Sequence, residues 1–136
     1  MLVTFPIAFF VGTLVTDIAY VANGDAFWAR ASFWLLAAGL VMGALAALAG
    51  FTDFLGDRLI RASKTAWYHM IGNVTAVVLS LINFWMRCRD GETADYPTVL
   101  WISVVVVLIF VVTGWLGGEL VFKNRVGVAE EIPGPR

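Results

Sequence analysis

The sequence predicts an all-α integral membrane fold, an antiparallel bundle of four transmembrane helices. Four apolar segments fill most of the 136-residue chain, and each is about 20 residues long, enough to cross a hydrocarbon core of about 30 Å as a helix. The chain is 60% hydrophobic and only 14% charged, whereas soluble domains are about a quarter charged. The segments lack the in/out alternation of membrane strands, so helices are the structure that satisfies their backbone in lipid.

The predicted helices cover residues 2–22, 31–53, 66–86 and 97–121, within a single transmembrane domain of residues 1–122. Residues 123–136 are predicted to form a hydrophilic tail. The first segment has no Lys or Arg before Arg30 and exceeds the h-region of a signal peptide, so we expect it to be a retained helix. Pro6 and Pro97 fall in the first turns of their helices, where a missing N–H costs little.

The distribution of basic residues predicts that both termini lie in the cytoplasm. The second loop and the tail, on the side of the termini, carry Arg58, Arg61, Lys64, Lys123, Arg125 and Arg136. The opposite side carries only Arg30, Arg87 and Arg89. The expected surroundings are a lipid bilayer, and no basic run of the kind that nucleic acid requires is present.

Small residues predict how the helices pack. Gly39 and Gly43 form a GxxxG motif in the second helix, and Gly50 adds another small site. Such residues let helix backbones approach closely, which serves either packing within the chain or a homodimer. In the third helix, polar and small residues recur every three or four positions and are expected to face the bundle interior: His69, Gly72, Asn73, Ala76, Ser80 and Asn83.

Three ionisable residues are predicted to meet near the inner face, because the second helix ends there, the third begins there and the fourth ends there. They are Asp53, His69 and Glu119. Such a cluster has three candidate roles: a divalent metal site, a proton relay, or charge-assisted hydrogen bonds that lock three helix ends together.

Asp17 has the most unfavourable free energy of membrane insertion, because a charge within a membrane helix costs about 2.5–3.5 kcal/mol on insertion scales. Arg30, Asn83 and Arg87 are predicted to lie at a similar level on the outer side. One interpretation is structural, an ion pair or a protonated Asp17 bonded to Asn83. The other is a proton or ion step that uses Asp17 and Asn83.

His69 is the only histidine, and four-helix bundles hold cofactors between facing helices. A haem b bound by His69, with Asn73 one turn away, is therefore one hypothesis. A single histidine is a poor match to a bis-histidine cytochrome, and a sixth ligand would come from Met70, Met42 or another chain. No nucleophile setting or phosphate loop indicates an enzyme, and Cys88, being alone, excludes an intrachain disulfide.

Several short motifs, taken in their order and spacing, resemble the DUF2231 family of small bacterial four-helix membrane proteins of unknown function. The likeness covers nearly the whole chain and includes Phe5-Pro6-Ile7-Ala8, Asp17, Gly50-Phe51-Thr52-Asp53, Trp67-Tyr68-His69 with Asn73, and Gly117-Gly118-Glu119-Leu120. The resemblance implies a bacterial inner-membrane protein. Because family members sometimes sit beside Rieske-type redox modules, it also implies electron-transfer surroundings.

The chain departs from the family pattern in two places. The family usually has a His-Pro just before the segment that matches Leu2–Phe5. We therefore expect either that the native chain begins further upstream or that this sequence has been shortened at its N-terminus. Members often carry a histidine near the position of Asn124. Both departures weaken a haem or metal role that would use those histidines.

The expected function is that of a non-enzymatic integral membrane protein, a subunit or accessory of a larger, respiratory or redox, membrane assembly. One alternative is a b-type haem or metal protein for electron transfer that uses His69 with Asp53 and Glu119. Another is a small proton-linked transporter through Asp17 and His69, which would act as an oligomer because four helices are too few for the usual inverted-repeat pore.

Overall fold

The computed structural model describes residues 3–56, 58–91 and 96–122, which are helical apart from short connections and contain no strand. The helices are α1 (Thr4–Asn23), α2 (Ala26–Gly56), α3 (Arg58–Ala62), α4 (Lys64–Asp90) and α5 (Tyr96–Phe122). All but α3 are long and apolar enough to cross a membrane. The predicted all-α fold with four candidate membrane spans is confirmed; the predicted tail, residues 123–136, lies outside the described residues.

The helices extend further than the apolar segments that predicted them. The second begins at Ala26 rather than near residue 31, and the third continues to Asp90 rather than ending near residue 86. Hydropathy marks only the part of a helix that suits lipid, while backbone hydrogen bonding continues into the interface. The first connection is consequently only Gly24 and Asp25. There Gly24 adopts a left-handed conformation (φ 71°) and donates its N–H to the Tyr20 carbonyl at 2.7 Å, a common helix ending.

The four long helices form a ring in the order α2, α1, α5, α4. Contacts are most extensive along the α1–α2 and α4–α5 interfaces, and α1 also packs on α5. The ring closes through a much sparser interface between α2 and α4. The buried core lies at the centre of this ring and is built around the stacked rings of Phe10 and Phe110, whose centroids are 5.3 Å apart.

The GxxxG motif lies in the α1–α2 interface. A Cβ atom added to Gly39 would lie 3.0 Å from Cε1 of Phe10 and 3.2 Å from Cβ of Phe9. Gly43 is also buried, beside Pro6 and Phe10. Of the two uses that the sequence left open, the structure has these glycines packing within the chain. Gly50 differs, because nothing lies within 4 Å of an added Cβ.

Candidate functional site

Two features stand out, at opposite ends of the bundle. The end that holds the α1–α2 and α4–α5 connections contains a buried polar network centred on Asp17 and Arg87. The other end contains an apolar cavity that His69 lines. Each contains one residue that the sequence singled out, Asp17 in the network and His69 at the cavity.

The Asp17 carboxylate and the Arg87 guanidinium form an ion pair between α1 and α4. Arg87 Nη2 donates to both Oδ1 and Oδ2 of Asp17 at 2.9 Å, and both side chains are 0% exposed. Removing two charges from water is expensive, and their mutual attraction offsets that cost only when further hydrogen bonds satisfy the remaining polar atoms. The surroundings of this pair therefore decide whether it is stable.

Three hydroxyl groups from α2 and α5 complete the shell of the Asp17 carboxylate. Ser32 Oγ donates to Oδ1 at 2.5 Å, and the Tyr96 hydroxyl donates to the same oxygen at 2.8 Å. Ser103 Oγ donates to Oδ2 at 2.7 Å. With Arg87 from α4, every long helix contributes to the coordination of one carboxylate, so the network ties the four spans together at this level.

The Arg87 side chain also has a hydrogen-bond partner for each of its three nitrogens. Its Nε donates to Oδ1 of Asn83 at 2.8 Å, and its Nη1 donates to Ser32 Oγ at 3.0 Å. Asn83 Nδ2 in turn donates to the Val99 carbonyl at 3.0 Å and to Ser103 Oγ at 3.1 Å. Across the described residues, no buried side-chain nitrogen or oxygen lacks a hydrogen-bond partner. The network is therefore closed, because its buried polar atoms are satisfied by other protein groups.

The sequence located part of this network. Asp17, Asn83 and Arg87 meet as expected, although Asn83 reaches Asp17 through Arg87 and Ser103 rather than directly. Arg30 is exposed. Sequence reasoning missed three members, which are Ser32, Tyr96 and Ser103. Their signal was available, since each is a polar residue near the end of an apolar segment at the level of Asp17.

At the opposite end, His69 joins α4 to α5. Its Nδ1 lies 2.9 Å from the backbone oxygen of Thr113. A carbonyl oxygen can only accept, so Nδ1 carries the proton and donates. Asn73 braces the same turn: its Nδ2 donates to the His69 carbonyl at 2.7 Å, and its Oδ1 accepts from Thr113 Oγ1 at 3.4 Å. The imidazole is thereby fixed in orientation, with Nε2 on the other side of the ring.

An apolar cavity of about 370 Å³ lies where α2 and α4 diverge. Residues from all five helices line it, and most of them are aliphatic or aromatic. Its polar side chains are those of Asp53, His69 and Asn73. Largely apolar clefts with a few fixed polar groups are the usual form of small-molecule sites.

The expected cluster of Asp53, His69 and Glu119 is only partly assembled. Asp53 and His69 line the same cavity, but Glu119 does not. Within residues 3–56, 58–91 and 96–122, no group of three His, Cys, Asp or Glu side chains is placed to hold a metal ion. The last turns of α2 remain attached to the bundle through Phe54, which packs against Ala66 and Leu120, whereas Asp53 beside it is exposed.

No curated protein and no solved structure matches this chain. One family does: DUF2231, described as a predicted membrane protein, matches residues 1–130, which is nearly the whole sequence. Membership agrees with the four candidate membrane spans and implies contact with a lipid bilayer. The chain belongs to the DUF2231 family of predicted membrane proteins.

Proposed function

We propose that this protein is a non-enzymatic subunit or accessory of a larger membrane assembly, in which it acts as a rigid four-helix unit. The observation that carries the proposal is the closed Asp17–Arg87 network, which joins α1, α2, α4 and α5 through buried side chains. A network of this kind holds helices in one relative position and engages its own polar groups with one another rather than with a substrate.

The same network argues against the proton-linked transporter. A carboxylate that carries protons or ions must exchange partners, yet the Asp17 oxygens already accept bonds from Arg87, Ser32, Tyr96 and Ser103. Any passing ion would have to displace a paired guanidinium from a buried site, which is costly. Asp17 is therefore better suited to a structural role than to a transport step.

The working surface of such a subunit would be the outside of the bundle. The α1–α2 connection is two residues long, too short for a soluble domain. On α5 the side chains of Leu108, Val111 and Val112 are all exposed, as residues facing lipid or a partner helix would be. We further propose that the chain lies in the bacterial inner membrane with both termini cytoplasmic, and that the assembly is a respiratory or redox one, as the family resemblance implies.

In-membrane photo-crosslinking tests the subunit role. A photoreactive amino acid is placed at Val111 on α5 or at Val41 on α2, both about two-thirds exposed (67% and 63%). The control position is Val106, which is 3% exposed on the same helix as Val111. In native membranes we expect one exposed position to give an adduct with a single other membrane protein, in fixed stoichiometry, and Val106 to give none. Adducts with lipid or with a second copy alone would contradict the proposal.

A further inference from the structure

The cavity between α2 and α4 opens toward the surrounding lipid. Val74 and Val78 on α4, and Ala47 and Phe51 on α2, line it and are themselves exposed on the outer surface of the bundle. The sparse α2–α4 interface leaves this gap, while Phe10 and Phe110 close the inner side. A molecule dissolved in the bilayer therefore has a direct route into the cavity.

The ring nitrogen Nε2 of His69 is the cavity group that bears most directly on the chemistry of a ligand. Because His69 Nδ1 is bonded to the Thr113 carbonyl, a neutral ring must present Nε2 as a lone-pair acceptor. His69 lines the cavity, and within the described residues no hydrogen bond is made by Nε2. The backbone contact fixes the tautomer, so the ring offers an acceptor rather than a donor to whatever occupies the cavity.

We propose that this cavity binds a membrane-dissolved molecule with an apolar body and a hydroxyl group that donates a hydrogen bond to Nε2 of His69. The apolar lining accounts for the body, and the acceptor accounts for the hydroxyl. Among the described residues, Asp53 is the other ionisable lining residue and also only accepts when ionised, so the two ionisable groups favour a donor over a carbonyl-bearing or ether-bearing ligand. The ligand is thus an alcohol or phenol of lipid-like solubility.

A matched pair of probes isolates the hydrogen bond. A para-alkylphenol and its methyl ether have nearly the same shape, but only the phenol can donate. Since His69 is the chain's only histidine, histidine-selective ¹⁵N labelling gives one Nδ1 and one Nε2 signal in a nanodisc at pH 8. We expect the phenol to move the Nε2 signal, and to bind about tenfold more tightly than the ether, which corresponds to about 1.4 kcal/mol.

Two variants test the hydrogen-bond acceptor of His69 and the volume of the cavity separately. His69→Phe keeps a ring but removes the acceptor, so phenol affinity should fall to that of the ether. Because this change also removes the bond to Thr113, Gly50→Leu supplies an independent test, since Gly50 lines the cavity and has open space around it. Gly50→Leu should weaken both probes. Gly114→Leu is its control, because Gly114 has equally open space on α5 but does not line the cavity.

Three results would overturn the proposal. Equal binding of phenol and ether, with the Nε2 signal unmoved, would mean that the cavity holds acyl chains without using the His69 acceptor. Binding that survives Gly50→Leu would place the ligand elsewhere. A Soret band that appears on adding haemin and disappears in His69→Phe would assign Nε2 to iron instead. None of these outcomes depends on whether the chain is a subunit of a larger assembly.

Discussion

At the residue scale, the structure shows how a membrane protein tolerates a full ion pair. Asp17 and Arg87 are each 0% exposed in their side chains, and isolated charges at such a site would be strongly unfavourable. The cost is offset by a bifurcated bond from Arg87 Nη2, by three hydroxyl donors and by the side-chain oxygen Oδ1 of Asn83. The pair depends on its shell, so the loss of one partner should be much worse than the loss of both charges.

A double-mutant cycle tests this dependence. Arg87→Met leaves the Asp17 carboxylate buried without its counter-ion and should destabilise the protein by about 3–5 kcal/mol. Asp17→Leu should cost a similar amount, because it strands the guanidinium. The double variant should be more stable than either single variant, since apolar replacement of a whole buried pair is often close to neutral. Unfolding by SDS titration from mild micelles measures the three free energies.

Arg89 provides the control for this cycle. It lies two positions after Arg87 on the same helix, and its side chain is 63% exposed beside Asp90. Surface pairs contribute little, so Arg89→Met should leave the unfolding midpoint unchanged. If Arg87→Met and Arg89→Met behaved alike, or if the losses in the cycle simply added, the ion pair would have no special part in holding the helices.

At the scale of the element, α2 changes character along its length. Its first half is buried against α1 through Gly39 and Gly43, whereas its last turns, from Gly50 onward, are largely exposed. Within a membrane, close packing replaces the hydrophobic drive that lipid removes. The glycines therefore matter only where another helix is close enough to use the space they leave.

Adding one methyl group to α2 tests this difference. Gly39→Ala should destabilise the protein by about 1–3 kcal/mol, because the new Cβ would come within 3.0 Å of the Phe10 ring and 3.2 Å of Phe9 Cβ. Gly50→Ala places the same methyl group in open space and should cost nothing measurable. SDS unfolding of the two variants gives the comparison. A loss at Gly50 that matched the loss at Gly39 would mean that α2 packs along its full length.

At the scale of the whole molecule, the two ends of the bundle are built differently. One end is closed by the polar network across α1, α2, α4 and α5. The other is open between α2 and α4, where the cavity lies. A rigid end and an accessible end suit a protein that keeps one fixed shape in the bilayer while admitting a small molecule from it.

The direction of these ends across the membrane can be measured with the native cysteine. Cys88 is exposed near the end of α4, on the side opposite the termini. With the termini in the cytoplasm, a membrane-impermeant maleimide should label Cys88 in intact cells. The control is Ala62→Cys in a Cys88→Ser background, because Ala62 is an exposed residue of α3 on the other side. Labelling of the Ala62 position alone would reverse the orientation.

The sequence by itself determined the architecture and the location of the costly residues. Long apolar segments have one solution in lipid, the helix, because every backbone amide must find a partner within its own segment. Asp17 and His69 could be singled out on the same basis, since an ionisable side chain is rare and expensive there. The level of Arg87 and Asn83 followed from the alternating direction of the helices.

Only the tertiary structure decided which side chains meet. Helix rotation about its axis and the separation of α2 from α4 depend on packing between helices, and a uniformly apolar helix such as α5 gives no sequence pattern that would fix them. The sequence could place Ser32, Tyr96 and Ser103 at the level of Asp17, but helix rotation decides that they face it. Glu119 was expected beside His69 but does not share its cavity. The lipid environment requires the apolar segments to be helices, whereas contacts between helices determine the partners of each polar group.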